Sequence, residues 1–205
     1  MKILKYGFFG EDIAQQLFLE NYLKQLVIYL GVADTIGFER DPVFPLKGGH
    51  RSGVLKMFEE AVQQGLAYYS QEVFFVGIDL DSEKMEEHSK LFQDMNGREV
   101  IKTYQNQTFI FIPVQCIEHW LLYLKFKKEH PNSNKNEKYE QIARSDAKKK
   151  MYGFARPVMD KQMEIVAKYT QNMAIEWLFE RSESFHHFHC QLIDFLTDKD
   201  TKTSR

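Results

Sequence analysis

The sequence predicts an α/β fold, a parallel sheet flanked by helices and followed by a helical C-terminal extension. Two observations carry this. Strand-like and helix-like patterns alternate from residue 2 to about residue 125, the order in which strand–helix–strand units build a parallel sheet with helices on both sides. The runs "EVFFVGI" (72–78) and "QTFIFIP" (107–113) are apolar almost throughout rather than alternating, as strands covered on both faces are.

Taken in order, "KILKYGFF" (2–9) is the first strand, and Gly10 breaks it before a helix with Ile13, Leu17, Tyr22, Leu23 and Leu26 at roughly helical spacing. A weak strand is expected near residues 32–38. "DPVFPLKGGHRSG" (41–53) carries two prolines and three glycines and is a loop. A helix over Gly53–Ala67 follows, with Leu55, Phe58, Val62 and Leu66 along one side. After the strand at 72–78, Asp81 or Ser82 is placed to cap a helix beginning near Glu83. Pro113 closes the strand at 107–113 ahead of the helix "QCIEHWLLYLKF". Near residue 129 the chain turns polar and lysine-rich. We therefore expect a sheet domain over 1–128, a helical extension packing on it over 129–198, and a disordered tail over 199–205.

With 205 residues, 43% of them hydrophobic, the chain is long and apolar enough for a proper core. Its 27 Lys and Arg against 29 Asp and Glu give a net charge of -2, so no overall field draws it to nucleic acid or membrane, and any polyanion site must be local. Cys116 and Cys190 are too few for a disulfide framework and sit in apolar helical patterns, where a buried thiol is the ordinary reading. No apolar run approaches membrane-spanning length. A cytoplasmic protein is expected.

"FFVGIDLDSE" (74–83) runs from bulky apolar residues straight into two aspartates. Residues i and i+2 of a strand point the same way, so Asp79 and Asp81 project together if the extended backbone persists to 81. In an open parallel sheet the ligand crevice lies beyond the carboxyl ends of the strands. At that same edge the first strand ends in Gly10-Glu11-Asp12, and Glu118 stands in the first turn of the helix after residue 113, beside His119. Carboxylates so crowded repel one another unless protons or a divalent cation neutralise them. Hard oxygen donors without thiolate or imidazole select Mg²⁺ or Mn²⁺, ions that stabilise attacking and leaving oxygens in phosphoryl transfer. Each acid also has a plainer use, Asp12 and Asp81 as helix caps.

Together "GFFGEDIAQQLFL", "FVGIDLDSE" and "VQCIEHWLLYLKF" resemble a TOPRIM domain, the metal-dependent module of topoisomerases, primases and small nucleases. "CIEHWLL" and "SESFHHFHCQL" are further similar to stand-alone TOPRIM-like proteins of phage defence and abortive infection, the RloB-type group among them. The resemblance implies a Rossmann-like sheet, Mg²⁺ held by Glu11, Asp79 and Asp81, and phosphodiester cleavage of DNA or RNA with Glu11 as base or ligand. A partner protein of a defence system and a homodimer are the assemblies it allows. Family members carry Glu directly before the glycine; this chain has Phe9 there, with Glu11 one place after Gly10.

Other segments offer contacts to a nucleic acid. "KGGHRSG" sets Lys47, His50 and Arg51 on a glycine-rich loop before a helix, suited to phosphate through side chains and backbone amides. From Lys125 to Lys150 nine Lys or Arg stand against four acids, ending in Lys148, Lys149 and Lys150, the positive density that phosphate neutralisation requires. Both segments read equally well as solvated surface. "FHHFHC" gathers three histidines and a cysteine, but the simplest reading is a helix turning Phe185, Phe188, Leu192 and Phe195 inwards. Two other functions fit the same residues. One is a non-catalytic interaction subunit, which Phe9 favours. The other is a haloacid-dehalogenase-like phosphatase with Asp79 as nucleophile and Asp81 as acid, although that family expects Thr or Val where Glu83 stands.

Overall fold

The structure, a computed structural model, describes residues 1–46, 48–154 and 157–203. Four strands form one sheet: β1 (Lys2–Phe9), β2 (Ile36–Arg40), β3 (Val73–Gly77) and β4 (Thr108–Phe111), in the order β2-β1-β3-β4. All neighbours are parallel, with Lys2 opposite Ile36, Phe9 opposite Val76 and Phe75 opposite Phe109. The fold is therefore α/β and Rossmann-like. Strand β2 begins four residues later than its weak pattern suggests, while β1 spans the predicted residues.

The helices are α1 (Ile13–Tyr29), α2 (Arg51–Gln63, continued by a π-helical turn to Tyr68), α3 (Met85–Asn96), α4 (Glu99–Thr103), α5 (Ile117–Glu129), α6 (Arg144–Tyr152), α7 (Met159–Thr170), α8 (Ile175–Phe179) and α9 (Glu183–Thr203). None among the described residues is long and apolar enough to cross a membrane.

Strand alternation divides the apolar residues between two cores. Tyr6, Phe75, Phe109 and Phe111 face α1, α5 and α9, whereas Phe9, Phe74, Val76 and Ile110 face α2, α3 and α4. The first core is a continuous aromatic layer: Trp120 lies 5.2 Å from Phe18 and 5.2 Å from Phe185, and Phe111 lies 5.1 Å from Phe188, between ring centroids. Phe185, Phe188 and Leu192 of α9 are buried in it, with Phe195 packed against its edge. The C-terminal helices thus share the sheet's own core. In α1 the expected Tyr22, Leu23 and Leu26 are buried, but in its first turns Ala14, Gln15 and Phe18 face inwards where the apolar spacing suggests Ile13 and Leu17.

Candidate active site

The sheet order sets the place of the site. Strand β1 is followed by a connection to β2 on one side, and β2 by a connection to β3 on the other, so the crevice beyond the carboxyl ends of β1 and β3 is the topological switch point where ligands bind in such sheets. Glu11 follows β1 there and Asp79 follows β3. Ladder pairing continues past β3: Ile78 donates to Phe111, Leu80 to Pro113 and Asp81 to Gln115 through backbone N–H groups at 3.0 to 3.2 Å. The extended course ends at Asp81, whose φ of 58° is left-handed.

The backbone N–H of Asp79 donates to Glu11 Oε1 at 2.6 Å, joining the two strand ends. Gln15, fully buried on α1, completes the junction: its Nε2 donates to Asp79 Oδ1 at 2.8 Å and its Oε1 accepts from the Glu11 N–H at 2.9 Å. Gly10, just after β1, and Gly77, at the end of β3, make room for that amide. A Cβ on Gly10 would stand 2.7 Å from Gln15 Oε1, and one on Gly77 would stand 2.9 Å from it, closer than real Cβ contacts allow. Asp12 caps α1, its Oδ1 accepting from the N–H groups of Ala14 and Gln15 at 3.0 Å each. Helix α3 begins with Lys84 as its cap residue, without a side-chain cap bond, so Asp81 does not serve as its cap.

The carboxylates are opposed by cations from one helix. Arg144 opens α6; its Nη2 donates to Asp79 Oδ2 at 3.0 Å and its Nη1 donates to Asp81. One turn on, Lys148 Nζ stands 3.7 Å from Glu118 Oε1. The β4–α5 segment positions α6: Gln115 Nε2 donates to Ile142 O at 2.6 Å, and His119 Nε2 reaches the same carbonyl at 2.9 Å. Burial pushes the His119 imidazole below its usual titration range; its Nδ1 lies 3.1 Å from Cys116 O and 3.3 Å from Cys116 Sγ, so both ring nitrogens are engaged within the protein. His119 thus anchors the approach to α6 rather than facing the carboxylates.

Even with these partners the site holds excess acid. Burial, then the charges of Glu11 and Glu118, push the Asp79 carboxyl well above the usual range against the pull of Arg144. Burial also raises Glu11 and Glu118, the latter against Lys148. Glu118 is fully buried; Lys148 and the Cys116 thiol and Tyr152 hydroxyl are its polar neighbours, but none gives its oxygens a hydrogen bond of ordinary geometry, and the buried Arg51 Nε is likewise without one. Arg51, at the start of α2, lies near enough to draw Glu11 downwards.

Of the residues expected to meet nucleic acid, His50 is the exposed cap residue of α2, without a cap bond. Lys47 lies outside the described residues. Lys148 is turned in towards Glu118, Lys149 is exposed beside Asp146 at 3.9 Å, and Lys150 is exposed. Two residues that sequence reasoning missed complete the site. Gln15 left a signal, a glutamine four places after Glu11 and three before Phe18 in an apolar helix; Arg144 left none beyond being one of nine cations in a basic stretch.

Asp79, Asp81, Glu11 and Glu118 offer carboxylate oxygens alone, the donor chemistry that Mg²⁺ or Mn²⁺ prefers, and Glu118 keeps oxygens without an ordinary hydrogen bond. Among the described residues no three His, Cys, Asp or Glu side chains are gathered at ligating distance as they stand, with the Arg144 guanidinium lying between Asp79 and Asp81. No family model matches the sequence, and no curated protein or solved structure is significantly similar to it.

Proposed function

We propose that the chain is an Mg²⁺- or Mn²⁺-dependent nuclease that cleaves phosphodiester bonds in DNA or RNA. The observation supporting this most directly is the meeting of Glu11 and Asp79 at the switch point, with buried Glu118, opposed only by Lys148 at 3.7 Å, beside them. Glu11, Asp79 and Asp81 would hold the ion, which supplies charge neutralisation for the scissile phosphate and lowers the pKa of a bound water. Gln15 fixes the Asp79 carboxylate and the Glu11 backbone in one orientation. Arg144 neutralises Asp79 and Asp81; with an ion on those carboxylates its planar fork would be free for a phosphate oxygen. Glu118, its carboxyl raised by burial against the pull of Lys148, is placed to accept a proton from the attacking water. The resemblance to stand-alone TOPRIM-like proteins extends the proposal to a cytoplasmic role in phage defence, alongside a partner protein or as a homodimer.

A second reading, the non-catalytic interaction subunit, is favoured by one contact: the Arg144 bridge makes Asp79 and Asp81 a finished ion network with no ligand required. A buried Asp79 bonded on both oxygens does not favour the phosphatase, which needs a free nucleophile. Calorimetric titration with Mn²⁺, wild type against Asp79→Asn, with labelled DNA and RNA incubated in the same metal, decides between the first two. Metal binding and strand cleavage that both vanish in Asp79→Asn are expected; equal heats from the two proteins and intact strands would leave the interaction subunit.

A further inference from the structure

Beside the carboxylates lies a cleft of about 260 Å³ at the ends of β1 and β2, between the start of α1, the loop that follows β2 and the first residue of α7. Phe8, Phe44 and Met159 supply apolar walls; Asp12, Gln16 and Arg40 supply polar groups. Phe44 is fixed by edge-on contacts with Tyr69 at 5.5 Å and Phe74 at 5.3 Å, so this wall is preformed. The polar groups are uncommitted. Among the described residues the side chains of Gln16 and Arg40 make no hydrogen bond or ion pair, and Asp12 uses only Oδ1. By contrast, Asp41 in the same lining is spent on the Val43 N–H at 3.1 Å and Gln71 Nε2 at 3.0 Å.

We propose that this cleft takes an unpaired nucleobase of the strand whose phosphate lies on the carboxylates, and prefers bases that carry an exocyclic amino group. Three features argue for it. The volume falls below the roughly 300–1,000 Å³ of ordinary small-molecule pockets, room for one ring system. A rigid aromatic wall next to an amide, a carboxylate and a guanidinium is the set with which proteins stack on splayed-out bases and read their edges. The carboxylates of Glu11, Asp12 and Asp41 in the lining disfavour a phosphate within the cleft, so the ring enters and the phosphate stays outside. The amino group of adenine, cytosine or guanine donates to Asp12 Oδ2 or the Gln16 carbonyl, a donor that uracil and thymine lack.

The inference rests on the nuclease reading, and its test separates the two. Protein with ¹³C-labelled methionine methyls is titrated without metal with adenosine, 2′-deoxyadenosine, uridine and ribose 5-phosphate, the Met159 signal being assigned through Met159→Leu. A saturable Met159 shift with either adenine nucleoside, weaker with uridine and absent with ribose 5-phosphate, is expected; the two adenine arms tell an RNA strand from a DNA strand. Gln16→Ala, on a half-exposed position, and Phe44→Leu, which keeps the wall apolar, should each weaken adenosine binding about tenfold. A Met159 signal that no nucleoside moves, or that ribose 5-phosphate moves equally, overturns the base site. In the parallel assay on single-stranded DNA and RNA, cleavage without the methyl shift rejects the cleft and keeps the nuclease, whereas the shift without cleavage keeps the cleft as a base site and rejects the nuclease.

Discussion

Replacing Arg144 by Gln separates a site waiting for a metal from a finished ion network. Opposite unit charges about 4 Å apart interact by about 4 kcal/mol at the effective dielectric of a protein surface. Asp79 is buried, but the Arg144 side chain is 36% exposed, so solvent screening and the proton that Asp79 can take up reduce the net loss to about 2 kcal/mol. In a chain of this size that lowers Tm by about 4–8 °C without metal. Any cation ligated by Asp79 and Asp81 must first displace the guanidinium, so the same 2 kcal/mol reappears as a gain of about 30-fold in Mn²⁺ affinity. Thermal melts and calorimetric titrations of both proteins, with and without Mn²⁺, measure the two quantities. The reasoning is refuted if Arg144→Gln binds Mn²⁺ no more tightly than wild type, or if its stability deficit is the same at saturating metal.

Three further outcomes are expected. Gln15→Ala strands the buried Asp79 carboxylate and the Glu11 N–H, costing about 2–3 kcal/mol in urea unfolding and weakening Mn²⁺ binding; an unchanged midpoint would mean that water replaces the amide. Glu118→Gln removes a buried carboxyl that burial disfavours and that Lys148 opposes only at 3.7 Å, so it should raise metal-free stability by about 1 kcal/mol while abolishing strand cleavage, and a lower Tm would show that Lys148 matters more than burial. Burial, with His187 beside His88 and His186 beside His189, depresses both His88 and His189 from 6.5 to about 4. Their neutral forms therefore support the fold fully above pH 6.5, and that support is lost as pH falls towards 4. Melting curves across that window should be flatter for His88→Gln than for wild type.

How much of this was legible in the sequence follows from the range of each interaction. Strand β1 and the buried runs of β3 and β4 are written in local apolarity, and the inward Phe185, Phe188 and Leu192 in helical period, so their places could be read directly. Strand β2, with only Ile36 buried, has too little apolar pattern to fix its ends. The meeting of Glu11 with Asp79 followed from strand-end topology, which is local information combined with a rule. The partners of those acids did not. Arg144 finds Asp79 and Asp81 across 65 and 63 residues, and nothing in a lysine-rich stretch distinguishes a cation that turns inward from one that faces water. Gln15 was readable only jointly with Gly10 and Gly77, since its slot exists because both lack a Cβ.

The separation of the acids from their counter-ions also bears on biosynthesis. All four strands and the carboxylates of Glu11, Asp79 and Asp81 leave the ribosome before Arg144 and Lys148. A nascent chain that closes its sheet early holds unopposed negative charge at one rim, and must keep those groups protonated, borrow an ion, or delay closure until α6 emerges.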